Sequence, residues 1–79
     1  MELEIITPEL VLFSGEIELV RLPGTRGGFE ILKNHAPLIS TLIKGKIKVK
    51  DISGVVSWFD INGGVVEVVN NKVRVLVEN

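Results

Sequence analysis

Val65-Val66-Glu67-Val68-Val69-Asn70-Asn71-Lys72-Val73-Arg74-Val75-Leu76-Val77 is the stretch that decides the fold. Val73, Val75 and Val77 interleave with Lys72 and Arg74 at period two, so one side of the segment is apolar and the other wet. β-branched side chains suit a pleated, half-buried surface because their χ1 is already stiff. Asn70-Asn71 separates two such runs by two residues that tolerate positive φ, which reads as a tight hairpin. Glu67 lies among valines. A carboxylate there has to reach solvent or a partner, and the spacing reads as an outward-facing strand side chain.

The same alternation recurs on either side. Leu3 and Ile5 alternate with Glu2 and Glu4, Ile17 and Leu19 with Glu16 and Glu18, and Ile47 and Val49 with Lys46, Lys48 and Lys50. Turn-forming residues fall between and within these runs: Thr7-Pro8, Ser14-Gly15, Pro23-Gly24, Gly27-Gly28, Asn34 to Pro37, Gly45, Ser53-Gly54, Asn62-Gly63-Gly64 and Asn70-Asn71. Cutting the chain at these points yields about nine short strands, the pattern of an all-β sandwich or barrel. Pro37 to Ile43 fits a short helix by its Leu38/Leu42 spacing. Its β-branched content and the following Gly45 favour a strand. Val55 to Ile61 is apolar on both faces, as expected of a central strand or one covered by a partner.

With 79 residues the chain is one small domain, residues 1–79, without linker or repeat. A domain of this size buries only about 60 % of its unfolded surface. The 46 % hydrophobic content therefore implies a dense aliphatic core, apolar surface reserved for a partner, or both. Nine basic and ten acidic residues give 9 − 10 = −1, which offers no electrostatic footprint for nucleic acid. Cysteine is absent, excluding disulfides and thiolate metal sites. The acidic start Met1-Glu2-Leu3-Glu4 is unlike a signal peptide, and no apolar run approaches the ~18 residues of a membrane helix. Membrane association is expected only through another protein.

Catalytic chemistry is not apparent. His35 is the single histidine and Asp51 and Asp60 the only aspartates, too few for a triad or a metal cluster. Gly24-Thr25-Arg26-Gly27-Gly28 lacks the Lys-Ser/Thr ending of a phosphate loop and reads as a tight turn. No catalytic residue, metal or cofactor is expected. His35 has two compatible readings, a turn histidine bonded to neighbouring backbone and a subunit contact. Arg26 is either a solvated charge or an exposed handle for a polar partner. Trp58 and Phe59 are adjacent, so one faces the core and the other adds to the surface. Two other small all-β classes are alternatives at this size. An OB-like module would stack bases on aromatics, but four aromatics and a charge of −1 oppose it. A lipoyl- or biotinyl-type carrier needs a lysine at a hairpin tip in a set context. Lys44 and Lys46 flank Gly45, but that context is missing.

The blocks Ile6-Thr7-Pro8-Glu9, Leu12-Phe13-Ser14-Gly15-Glu16, Leu22-Pro23-Gly24, Gly28 to Ser40, Gly63 to Val68 and Asn71 to Leu76, in this order, resemble the epsilon subunit of F-type ATP synthases. The resemblance runs from about Leu3 to Glu78 and is most specific from Gly28 to Ser40. It implies a flattened β-sandwich of about ten strands in two sheets. It also implies a non-catalytic place at the foot of the central stalk, beside the gamma subunit and on the c ring. That foot lies on the cytoplasmic face of the bacterial inner membrane. By the same resemblance, Thr25, Arg26, Gly27, Gly28 and Phe29 would meet the polar loops of the c ring, although Gly28 stands where some members carry a carboxylate. Thr7, His35 and Ser40 would lie on the gamma side. Family members commonly continue into a two-helix C-terminal domain that can inhibit hydrolysis and in some binds ATP. A chain ending at Asn79 is expected to have neither property.

Overall fold

The computed structural model describes residues 1–78 and is built from six strands. These are β1 (Glu2–Ile6), β2 (Val11–Gly24), β3 (Gly27–Leu32), β4 (Leu38–Asp51), β5 (Val56–Val69) and β6 (Lys72–Glu78). They form one hydrogen-bonded sheet in the order β1-β6-β5-β4-β2-β3, and a further antiparallel β1–β2 pairing closes it into a barrel-like sandwich. All neighbours are antiparallel except β1 and β6. The all-β class is as the alternation implied, and Pro37–Ile43 contributes strand, not helix.

The strand count differs from the expected ten strands in two sheets. β2, β4 and β5 are each 14 residues long and pass through Ser14-Gly15, Gly45 and Asn62-Gly63-Gly64 without ending. Each serves both layers of the sandwich. One layer contains β1, β6, residues 11–16 of β2, 38–43 of β4 and 63–69 of β5; the other contains β3 and the remaining halves.

What looks like turn chemistry is corner chemistry. In β5 the inward residues are Phe59 and Ile61 before the bend and Val66 and Val68 after it, so the buried parity switches from odd to even. In β4 it switches from Leu38 and Leu42 to Ile47 and Val49. Both strands switch together, with Ile43 opposite Gly63 and Gly45 opposite Ile61. Glycine is required because the neighbouring chain passes too close for a side chain. A Cβ on Gly64 would run into the Leu76 carbonyl oxygen, and one on Gly45 would sit 2.9 Å from Pro23 Cβ.

The core is aliphatic throughout, built on residues such as Ile5, Val20, Ile31, Ile47, Val66 and Val75, with no buried polar side chain among the described residues. The side of the sandwich between β2 and β5 is plugged by Phe13 and Phe59, packed edge to face at 6.1 Å. At the β5–β6 hairpin, Asn70 and Asn71 take φ of 49° and 61°, the two positive values the tight turn needs. Asn71 also accepts the Asn34 N–H through Oδ1 at 3.0 Å, tying the loop before β4 to this hairpin.

Candidate functional site

Outward-facing residues of the first layer form rows across four strands. Thr41 of β4, Val65 of β5, Leu76 of β6 and Ile6 of β1 make one row; Ile39, Glu67, Arg74 and Glu4 make the next. Ile39 is 73 % exposed, Leu76 52 % and Val65 38 %. They line a common hollow with Glu67 and Arg74, and Arg74 Nε reaches Glu4 Oε1 at 3.5 Å. Glu67 faces outward, as its place among valines required.

The residues that the resemblance assigns to the gamma side are spread over the end of β1, β4 and the loop before β4. Thr7 follows β1 at one margin, half-buried, its Oγ1 accepting the N–H groups of Glu9 at 3.2 Å and Leu10 at 2.9 Å. Ser40 lies on β4 across the sheet, roughly 14 Å away by three interstrand spacings. It is half-buried, and its hydroxyl donates to the Thr41 carbonyl. His35 is exposed in the loop held to the β5–β6 hairpin. Its Nδ1 lies 2.7 Å from the Ala36 carbonyl oxygen, the local bond expected of a turn histidine. Thr7, His35 and Ser40 therefore do not cluster: Thr7 and His35 lie outside the strands, and Ser40 falls between Leu38 and Leu42 on the inward side of β4. Ile39, Val65 and Leu76 lie within the blocks that carry the resemblance but are not among its assigned contact positions. Their signal is phase: Val65 and Leu76 are apolar at positions out of step with the buried Val66, Val68, Val73, Val75 and Val77.

The residues assigned to the c ring are contiguous. Thr25 and Arg26 make the turn between β2 and β3, and Gly27, Gly28 and Phe29 begin β3. Thr25 fastens this tip to β4: its N–H and hydroxyl both donate to the Thr41 carbonyl, at 3.1 and 3.0 Å, and its hydroxyl lies 2.6 Å from that of Thr41. Arg26 is exposed, whereas the Phe29 ring packs against the core. Ser40 and Thr41 line the same shallow concavity as the tip. The two assigned surfaces thus adjoin along β4.

Three of the four aromatics, Phe13, Phe29 and Phe59, pack against the core. Only Trp58 stands on the surface, with Lys48 Nζ 5.8 Å from its ring. A lone exposed ring provides no base-stacking platform. Among the described residues, no group of three or more His, Cys, Asp or Glu is arranged to hold a metal ion, and no helix is long and apolar enough to cross a membrane.

Fold and surface together define a small closed β-sandwich module with an apolar outer face and a polar, glycine-rich tip beside it. The chain belongs to the ATP synthase delta/epsilon chain β-sandwich domain family, whose sequence profile it matches over residues 1–79. It is 40 % identical over 79 residues to the ATP synthase epsilon chain of Caulobacter vibrioides, spanning 100 % of this chain and 91 % of that one. With the epsilon chain of Chlorobaculum tepidum it shares 43 % over 76 residues, 96 % of this chain and 86 % of the other. With that of Syntrophomonas wolfei it shares 42 % over 76 residues, but covers only 56 % of that longer chain. Among solved structures, the fold matches a chain of the Euglena gracilis mitochondrial ATP synthase OSCP/F1/c-ring assembly. The TM-score is 0.88 at 18 % identity, covering 95 % of this chain and 48 % of that one. A chain of the Tetrahymena thermophila mitochondrial ATP synthase central stalk and c ring gives 0.83 at 18 %, covering 99 % and 63 %.

Proposed function

We propose that this chain, as a single epsilon-type domain over residues 1–79, docks the gamma subunit onto the c ring of an F-type proton-translocating ATP synthase. Rotation of the ring would pass through it to the catalytic head. In this reading it has no catalytic role, needs no cofactor and meets the membrane only through the complex, on the cytoplasmic face of the bacterial inner membrane. Gamma covers the outer face of the first layer and contacts Thr7, His35 and Ser40. The c-ring loops meet the tip at Thr25 to Phe29.

The observation that carries the reading is the apolar outer face of Ile39, Val65 and Leu76, set within a family of epsilon chains. Exposed apolar side chains grouped across three strands are costly in water and are relieved by a partner. The two assigned surfaces adjoin along β4, so one rigid strand would carry load from the tip to the gamma face. Titration calorimetry of the purified chain with the gamma subunit of the same source tests the reading. A one-to-one complex with submicromolar Kd and a negative heat-capacity change is expected. Absence of a complex at micromolar concentrations overturns it.

A further inference from the structure

We propose that the chain recognises a second copy of itself: Trp58 of one molecule enters the hollow of Ile39, Val65 and Leu76 on the next, and Lys48 beside the ring meets Glu67. The contact joins two different faces, so it is heterologous. It stands independently of the docking reading. In that reading gamma covers the same hollow and displaces the second copy.

The net charge of −1 conceals a polarity. The segments of the first layer, with the loop after β1, hold two cationic and six acidic side chains, 2 − 6 = −4. The remaining segments, residues 17–37 and 44–62, hold seven cationic and four acidic side chains, 7 − 4 = +3. One face of the sandwich is acidic and the opposite face basic. Two copies therefore attract when unlike faces meet and repel when like faces meet.

The features at the middle of each face fit one another. Trp58 is 58 % exposed on residues 56–62 of β5, which pair with β4 on one side and with no strand on the other. The ring thus stands at an open edge of the second layer. The hollow on the first layer is about 300 Å³ and is lined by Ile39, Val65, Glu67, Arg74 and Leu76. A cavity of roughly 150 Å³ already takes a benzene ring, so the hollow has room for an indole. Lys48 Nζ lies 5.8 Å from the Trp58 ring. Among the described residues Lys48 has no acidic partner and Glu67 has no cationic one, while Arg74 is committed to Glu4. Seating the indole brings that cation to that carboxylate. Tryptophan in an apolar pocket is the commonest kind of interface anchor. One anchor on a small area makes the contact weak and reversible.

Sedimentation of the full chain at low salt tests the proposal. Association with a Kd on the order of 0.1 mM is expected, weakening as salt rises. Trp58→Ala alone and Leu76→Glu alone should each sediment as monomers, at least about tenfold weaker than wild type, with melting temperatures close to it. Their equimolar mixture should form heterodimers and nothing larger, because one chain keeps the hollow and the other keeps the ring. Lys48→Glu and Glu67→Lys, each weakened alone and restored when mixed, repeat the test through charge. Wild type that stays monomeric at millimolar concentration overturns the proposal, and so does a mixture without heterodimer. Persistent association of Leu76→Glu alone, which means ring against ring, or of Trp58→Ala alone, which means hollow against hollow, also overturns it. Each of these failures leaves the docking reading to its own calorimetric test.

Discussion

The two outer faces of the sandwich follow the same period-two rule and yet differ in kind. On the second layer, Trp58 of β5 faces Lys48 of β4, which faces Arg21 of β2, which faces Glu30 of β3. There the exposed Val56 and Trp58 have Lys50 and Lys48 as their cross-strand neighbours, and the charges are neutralised in pairs: Arg21 with Glu30, Lys50 with Glu18, Lys46 with Asp60. The long stems of Lys and Arg lie along neighbouring apolar surface and keep it partly dry. On the first layer, Ile39, Val65 and Leu76 share one hollow, with charges at its edge. Total apolar content is therefore a poor guide to a docking face. What separates the faces is whether apolar side chains face one another across strands, as Val65 and Leu76 do, or face the stems of lysines.

The two faces are joined by the glycine corner of β4 and β5, and breaking it should have the largest effect. A Cβ on Gly64 meets backbone atoms of Leu76 and Val77 and not a movable side-chain end. Gly64→Ala should cost about 3 kcal/mol by forcing β6 away from β5. Against a typical stability of roughly 5–15 kcal/mol this appears as a markedly lower urea midpoint. The next effect separates two adjacent residues. Phe59→Ala removes the edge-to-face contact with Phe13 and opens the side of the core. A loss of about 2–3 kcal/mol is expected for this half-buried ring. Trp58→Ala, one position on, should change stability by less than about 0.5 kcal/mol. Equal midpoints for the two variants would contradict the assignment of inner and outer sides to β5.

Much of this architecture is legible in the residues. Alternation in Lys72–Val77 and the Asn70-Asn71 turn give β6 and its hairpin, because both signals are local. The inward position of one member of the Trp58–Phe59 pair follows from adjacency alone. The number of strands does not follow. Gly45 and Asn62-Gly63-Gly64 combine turn-favouring residues with a break in the phase of alternation, as a strand end does, whereas the inward phase of β2 runs through Ser14-Gly15 from Phe13 to Ile17 and changes only near Leu19. At Gly45 and Gly64 the physical cause is a close approach by a distant segment, Pro23 in one case and Leu76 in the other. Such a cause lies in tertiary packing and leaves no local mark that separates a bend from a turn. The candidate site divides the same way. Thr25 to Phe29 is one continuous segment and can be found by motif. The apolar face is assembled from β4, β5 and β6, and only the out-of-phase Val65 and Leu76 hint at it.

The effect on binding is smaller than the loss at Gly64 or Phe59 and bears most directly on function. Leu76→Glu places a carboxylate in the hollow among Ile39, Val65, Glu67 and Arg74. Leu76 is already half in solvent, so the free chain should fold with little change. In a complex that covers this face, the new charge must be desolvated beside apolar side chains without a committed partner. A loss of about tenfold in affinity for gamma, roughly 1.4 kcal/mol, is expected. Trp58→Glu on the opposite face introduces the same charge at a comparably exposed aromatic, and there the nearby Lys48 can accommodate it. Its affinity for gamma should remain within about twofold of wild type, an effect below roughly 0.5 kcal/mol. If both substitutions weaken the complex equally, the loss reflects net charge and the apolar hollow is not the contact. If only Trp58→Glu weakens it, gamma docks on the other layer. Only loss confined to Leu76→Glu ties the hollow of Ile39, Val65 and Leu76 to recognition, because the added charge is the same in both variants and the face that bears it is what differs.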